Sequence, residues 1–282
     1  MNQSSRVSPF SFIICLVVCL GISTLWVSPT FAQIASPGPV NGAGPSPAST
    51  FTNVFNLPTD VFTGGTGVPT QVNVNSGGPF PAGPNAFTLG LNEELNLNGG
   101  SLTNGLFAAI GSEVNVIGGD AGDDFVAFGS VVSISGGTIG NDFSATLDTE
   151  VNVSGGSIGT DFQAIDTSIL NISGGSIGDN FVADGGATVN FLGTEFFLDG
   201  VPVSTTFNQA VTITARDVEL SGVLADGQSF SFDLNQSLVA AVLNGEDFFS
   251  TGATVTVTVL EPSSAALATL GLAMMGFRRR RR

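Results

Sequence analysis

Between Leu95 and Gly193, short bursts of alternating apolar and polar residues return at a fixed interval. Aligned on glycine pairs, the segments read LNLNGGSLTNGLFAAIGSE, VNVIGGDAGDDFVAFGSV, VSISGGTIGNDFSATLDTE, VNVSGGSIGTDFQAIDTSI and LNISGGSIGDNFVADGGAT, and a sixth start, VNFLG, breaks off. Their first residues, Leu95, Val114, Val132, Val151, Leu170 and Val189, are spaced 19, 18, 19, 19 and 19 apart. So short and regular a period marks a solenoid.

Each unit opens with an alternating tripeptide such as Val151-Asn152-Val153, which predicts a short strand with one apolar face. The Gly155-Gly156 pair predicts a corner that needs positive φ. A single aliphatic follows (Leu102, Ala121, Ile139, Ile158, Ile177), then Phe-x-Ala at Phe107/Ala109, Phe125/Ala127, Phe143/Ala145, Phe162/Ala164 and Phe181/Ala183. Alternation puts each Phe and Ala on one face, which predicts an interior filled by an aromatic ladder. Nineteen residues hold about three short strands and three corners at ~3.3 Å per residue. The fold class expected is therefore all-β: a parallel β-helix of ~19-residue coils, with like residues stacked ~4.8 Å apart.

This pattern divides the chain into 1–32, 33–70, 71–195, 196–260 and 261–282. Residues 33–70 are rich in Pro, Gly and Ser and read as a linker or amino-terminal lead. Val72-Asn73-Val74 already has the repeat's opening, and the prolines after it suit an irregular first coil. From 196 to 260 the period dissolves into strand-like stretches with an Asp226-Gly227 hairpin signal. A β-rich cap there would cover the unpaired edge of the last coil.

Residues 1–32 read as a secretory signal: Arg6, an apolar run from Phe10 to Trp26, and small residues at Thr30 and Ala32 that place cleavage after Ala32. Both cysteines, Cys15 and Cys19, fall in this segment, so the processed chain has neither disulfides nor thiolate chemistry. At the other end Glu261-Pro262 precedes thirteen apolar or small residues, Ala265 to Phe277, and then Arg278, Arg279, Arg280, Arg281 and Arg282. The apolar run is short for a permanent span of ~30 Å, and the arginines would stay cytoplasmic. Together these residues resemble the carboxy-terminal sorting signal of PEP-CTERM proteins, the exosortase substrates of Gram-negative bacteria. The first proline of the Pro-Glu-Pro pattern is replaced here by Leu260. The resemblance covers 261–282 only. It implies export, a transient inner-membrane stage, recognition by exosortase-type machinery around Glu261 and Pro262, and loss of the tail. In repeat style the chain also resembles exported β-solenoid proteins of planctomycetes.

Charge sharpens the functional expectation. Lys, His and Tyr are absent, and between the two terminal segments Arg216 stands alone against 22 acids, a net −21. Such a surface repels nucleic acid and anionic lipid and attracts cations. Without His, Lys, Tyr or Cys there is no ordinary base near neutral pH and no Ser-His-Asp arrangement. A hydrolytic carboxylate pair would have to come from Asp123, Asp124, Asp142 and Asp161, and a lyase base from Arg216. Because the aspartates recur at a repeat position, the expectation is a non-enzyme with a structural or adhesive role at the cell surface, outer envelope or matrix. Its expected partners are polysaccharide or other surface proteins. The alternatives are a polysaccharide-acting lyase or hydrolase and a calcium-dependent adhesin. The second would bind Ca²⁺ through Asp124, Asp142 and Asp161, which precede successive Phe residues. Asn96, Asn115, Asn152, Asn171 and Asn190 form a further column, interrupted by Ser133, expected to stack as an outward amide ladder.

Overall fold

The computed structural model describes residues 53–57, 68–80 and 87–261. Strands Thr70–Val74, Glu93–Leu97, Glu113–Val116, Val131–Ile134, Glu150–Ile158, Ile169–Ile177 and Thr188–Leu198 lie side by side in one parallel sheet. The register is the one the period predicts: Val72 on Leu95, Leu95 on Val114, then Val132, Val151, Leu170 and Val189 in turn. A second parallel sheet runs through Thr88–Leu89, Phe107–Ala108, Val126–Phe128, Ser144–Thr146, Gln163–Ala164 and Val182–Ala183. A narrow third side is made where Thr138–Ile139 pairs with Ser157–Ile158, which pairs with Ser176–Ile177. The chain is an all-β parallel solenoid with three-sided coils.

Alternation decides which residues turn inward. In Glu113–Val116 and its neighbours every second residue is buried, and Val114, Val116, Val132, Val151 and Leu170 have no exposed surface. Phe125, Phe143, Phe162 and Phe181 are likewise fully buried. Phe125 and Phe143 stack with ring centroids 4.7 Å apart, and Phe143 and Phe162 at 4.6 Å with planes 10° from parallel. The coil spacing thus delivers offset ring stacking, worth about 0.5–1.5 kcal/mol per pair beyond the burial itself.

One rung differs from the sequence expectation. In the first repeat the inward pair is Leu106 and Ala108, not Phe107 and Ala109; Phe107 pairs with Val126 and is 36% exposed. Three consecutive residues, Leu106, Phe107 and Ala108, are all small enough or apolar enough to turn inward. The hydrogen-bond register rather than the residue type selects Leu106, and Phe87 is the buried rung before it.

The glycine pairs do more than turn the chain. Gly156 has a φ of +75°, as expected of the corner, but a Cβ there would also lie 2.8 Å from the backbone of Gly136 in the preceding coil. Gly155 has ordinary φ, yet its Cβ would stand 2.6 Å from the Ser135 carbonyl oxygen. Close stacking therefore requires both glycines, and only the second is needed for its dihedral.

The ends depart further from the expected division. Within the segment read as a lead, Asn53–Leu57 is a strand paired in parallel with Thr70–Val74. Beyond Gly193 the chain leaves the solenoid for an antiparallel excursion. Thr188–Leu198 pairs with Glu219–Leu224, which forms a hairpin with Ser229–Asp233, its tip at Asp226-Gly227 as predicted. A seven-residue helix, Leu238–Asn244, was not signalled by the pattern. The chain then re-enters the stack. Phe248–Phe249 lies in parallel on Val182–Ala183, and Thr254–Val259 in parallel on Thr188 to Gly193. So 248–259, expected as cap, is one more coil, and Ala210–Ile213 pairs antiparallel with it. Phe232 and Phe249 meet Phe181 edge-on at 5.7 and 5.3 Å and close the aromatic ladder.

If stacking of the inner rings holds the fold, Phe143→Ala should cost about 3–5 kcal/mol through transfer and cavity losses. Phe107→Ala should cost less, about 1–2 kcal/mol, because part of that side chain already stands in water. Urea-denaturation midpoints of the two variants check the contrast.

Candidate functional site

Three polar arrays sit on this scaffold. The first is at the corner before each inward Phe. Asp124, Asp142, Asp161 and Asn180 have φ between 58° and 63°, the left-handed region that Asp and Asn tolerate better than other side chains. Each precedes the buried ring of its coil, so the backbone conformation accounts for the residue type. The residues just before them are tied from coil to coil. The Asp123 N–H donates to Asn104 Oδ1 (3.1 Å), Asn141 N–H to Asp123 Oδ1 (2.9 Å) and Thr160 N–H to Asn141 Oδ1 (3.0 Å).

The aspartates read as Ca²⁺ ligands, Asp124, Asp142 and Asp161, stand one to a coil, and of the four read as a source of a hydrolytic pair Asp123 and Asp124 share a coil. Among the described residues no three acidic side chains come together as a metal-binding group. Crowding is felt all the same. Partial burial, and then the charges of Asp142 and Asp123, raise the Asp124 carboxyl above its ordinary range.

The second array covers the outward face of the long sheet. Asn96 Nδ2 donates to Asn73 Oδ1 (3.1 Å) and Asn115 Nδ2 to Asn96 Oδ1 (3.1 Å). Beyond Ser133 the ladder resumes, with Asn171 donating to Asn152 (2.8 Å), Asn190 to Asn171 (2.8 Å) and the Thr256 hydroxyl to Asn190 (2.7 Å). The pattern showed this column but not its flank. Glu94, Glu113 and Glu150 accept from Asn96, Asn115 and Asn152 at 2.6, 3.1 and 3.1 Å. Their signal was the acid two residues before each asparagine. At the opposite corner a buried polar column, Ser112, Ser130, Thr149 and Ser168, also went unread. Ser112 and Thr149 donate to the carbonyls of Ala109 (2.7 Å) and Thr146 (2.6 Å) and so close that turn.

Where the amide ladder meets the hairpin, a groove of about 310 Å³ opens, lined by Asn152, Val153, Ser154, Asn171, Ser173 and Leu192. The hairpin tip is fastened beside it: Asp226 N–H donates to the Ser173 carbonyl (3.1 Å), Gly175 N–H to Asp226 Oδ2 (2.8 Å) and Ala225 N–H to the Leu192 carbonyl (3.1 Å).

The third array joins cap to stack. Asp247 accepts from the Phe181 N–H (2.9 Å) and the Asp233 N–H (3.2 Å), bridging the last full repeat to the hairpin. Burial pushes its carboxyl from 3.8 up to about 6; the two N–H donors oppose the shift, and the nearby charges of Asp233 and Asp179 add to it. Asp233 is itself raised, by burial and then by Glu246 and Glu219. Arg216, the one candidate lyase base, spends its guanidinium on backbone carbonyls: Ile213 (3.2 Å), Ala215 (2.9 Å), Ser250 (3.3 Å) and Ala253 (2.8 Å). It staples the cap to the turn before the final strand.

The segment read as a secretory signal, with Ala32, and the tail read as a short transmembrane sorting helix, with Pro262 and Arg278 to Arg282, lie outside the described residues. Glu261 is exposed, its N–H facing Asn208 Oδ1 at 3.4 Å. Among the described residues no helix is long and apolar enough to cross a membrane. No family model, no curated protein and no solved structure matches this chain.

A carboxyl whose folded pKa is raised favours the fold when protonated. Its stabilisation is complete below 3.8 and is lost as pH rises through about 6. The melting temperature should therefore climb as pH falls from 7 to 4.5. Asp247→Asn, which keeps one acceptor oxygen and cannot ionise, should flatten that climb in a thermal melt followed by circular dichroism.

Proposed function

We propose that this chain is an exported β-solenoid protein of the cell surface or extracellular matrix, structural or adhesive and with no catalysis of its own. The observation that carries the reading is how its acids and amides are used. Corner carboxylates occupy left-handed turns or receive N–H groups of the next coil, outward amides bond to one another, and Arg216 binds carbonyls. Side chains spent this way build a stiff acidic rod, with each coil supporting its neighbour.

Address comes from the ends of the sequence. The resemblance of residues 261–282 to a PEP-CTERM signal supports delivery by exosortase-type machinery through a transient inner-membrane stage, and residues 1–32 support export. After delivery the partners are extracellular polysaccharide or neighbouring surface proteins. The net −21 between the terminal segments disfavours nucleic acid.

Intact mass of the protein recovered from its own cells, fraction by fraction, tests the address. The expected mass lacks Met1 to Ala32 and the tail beyond the neighbourhood of Glu261. A full arginine tail retained in the membrane fraction would make the tail an ordinary anchor. A carbohydrate-turnover assay tests the role: wild type and Asp142→Asn should be equally inactive, and turnover by the wild type alone would replace this reading with that of a polysaccharide-acting enzyme.

A further inference from the structure

We propose that the groove beside the hairpin tip binds a neutral polysaccharide, seating a sugar ring against the Ser154 and Ser173 oxygens with Leu192 beneath its C–H face. The inference rests on the surface or matrix reading above and names the ligand class and the site. Its first support is the direction of the hydrogen bonds. The Ser154 hydroxyl donates to the Ile134 carbonyl (3.3 Å) and the Ser173 hydroxyl to the Val153 carbonyl (3.2 Å). With their protons committed to the backbone, both oxygens keep lone pairs for an incoming donor. Asn152 and Asn171 are held at a fixed height beside them, since Asn171 donates to Asn152 and Asn152 to Glu150. A ligand rich in O–H donors suits such a floor.

The second support is the single apolar residue. In register, Ile172 lies on Phe191, so Leu192 takes the place that Ser173 holds one coil earlier. It puts a hydrophobic step at the end of a polar strip, and pyranose rings pair hydroxyl edges with an apolar face in this manner. The hairpin tip beside it bonds Leu192, Ser173 and Gly175 through three hydrogen bonds and so holds the strands of the floor in place before any ligand arrives.

Charge selects the class. Arg216 is the only basic residue among the described ones, and it is bound to carbonyls in the cap. A uronate or sulfated sugar would meet Glu150 and Asp226 with no counter-charge. The polar strip continues onto Ser133, opposite Asn152 in the preceding coil at a spacing of ~4.8 Å, so a chain longer than one ring finds a further acceptor.

The test is calorimetric titration of the purified chain with neutral hexasaccharides built from glucose, mannose, galactose or N-acetylglucosamine, and with an oligogalacturonate of equal length. At least one neutral member should bind and the uronate should not. Ser154→Val with Ser173→Val should weaken binding by about tenfold or more, each valine removing an acceptor. Ser173→Thr, which keeps the oxygen, should retain it, and circular dichroism confirms that each variant is folded. The proposal falls if no neutral glycan binds, if the uronate binds equally well, or if the double valine variant binds as the wild type does. Failure here with normal processing leaves the surface role standing. Binding by a chain that never leaves the cytoplasm would do the reverse.

Discussion

Each coil of this protein meets the next through a parallel ladder of backbone hydrogen bonds, and the ladder fixes a rise of about 4.8 Å that every side chain must accept. Phe143 stacks on Phe125 at 4.7 Å because that is the interval on offer, and Asn171 reaches Asn152 at 2.8 Å for the same reason. Nothing bulky can stand where two backbones approach, which is why a Cβ at Gly156 would collide with Gly136. An edge left open at either end is the cost of such a stack. The chain meets it at one end by returning 248–259 as a further coil and laying Ala210–Ile213 against it.

The same constraint governs where chemistry can sit. A residue repeated at one position is multiplied along the rod rather than gathered in a cleft, so carboxylates at the corner form a file. Within that file burial, and then the charges of Asp142 and Asp123, raise the proton affinity of Asp124. Departures from the repeat are therefore where a ligand would be recognised. Leu192 stands where the preceding coil has a serine, and Asp226 arrives from the hairpin to bond Gly175 beside the groove.

Much of this was legible in the sequence because the repeat is strong. The period placed Val114, Val132, Val151 and Leu170 in register, and alternation identified the buried rings from Phe125 to Phe181. The misreading of Phe107 shows where pattern fails: with three adjacent residues able to turn inward, only the hydrogen-bond register distinguishes them. The re-entry of Thr254–Val259 was hidden for another reason. A strand's alternation shows that it pairs, and the partner, some 66 residues away in sequence, is set by packing. The corner aspartates carry two readings because Asp suits both cations and left-handed turns, and the backbone shows the turns. The polar side of the groove was present as repeat residues, but the hairpin fastened beside it is a tertiary contact.

The central claim is in-register stacking of successive repeats, and disulfide trapping tests it directly. The two natural cysteines, Cys15 and Cys19, both precede Gln33, and with both changed to Ser the introduced pairs report without interference. Asn152→Cys with Asn171→Cys puts thiols on adjacent rungs, within the Cα separation of about 4.4–6.8 Å that a disulfide accepts. Asn152→Cys with Asn190→Cys puts them two rungs apart, at about 9–10 Å. Mild oxidation should close the first pair quantitatively and leave the second reduced. Ready closure of the second pair, or failure of the first in a folded protein, would contradict the stack.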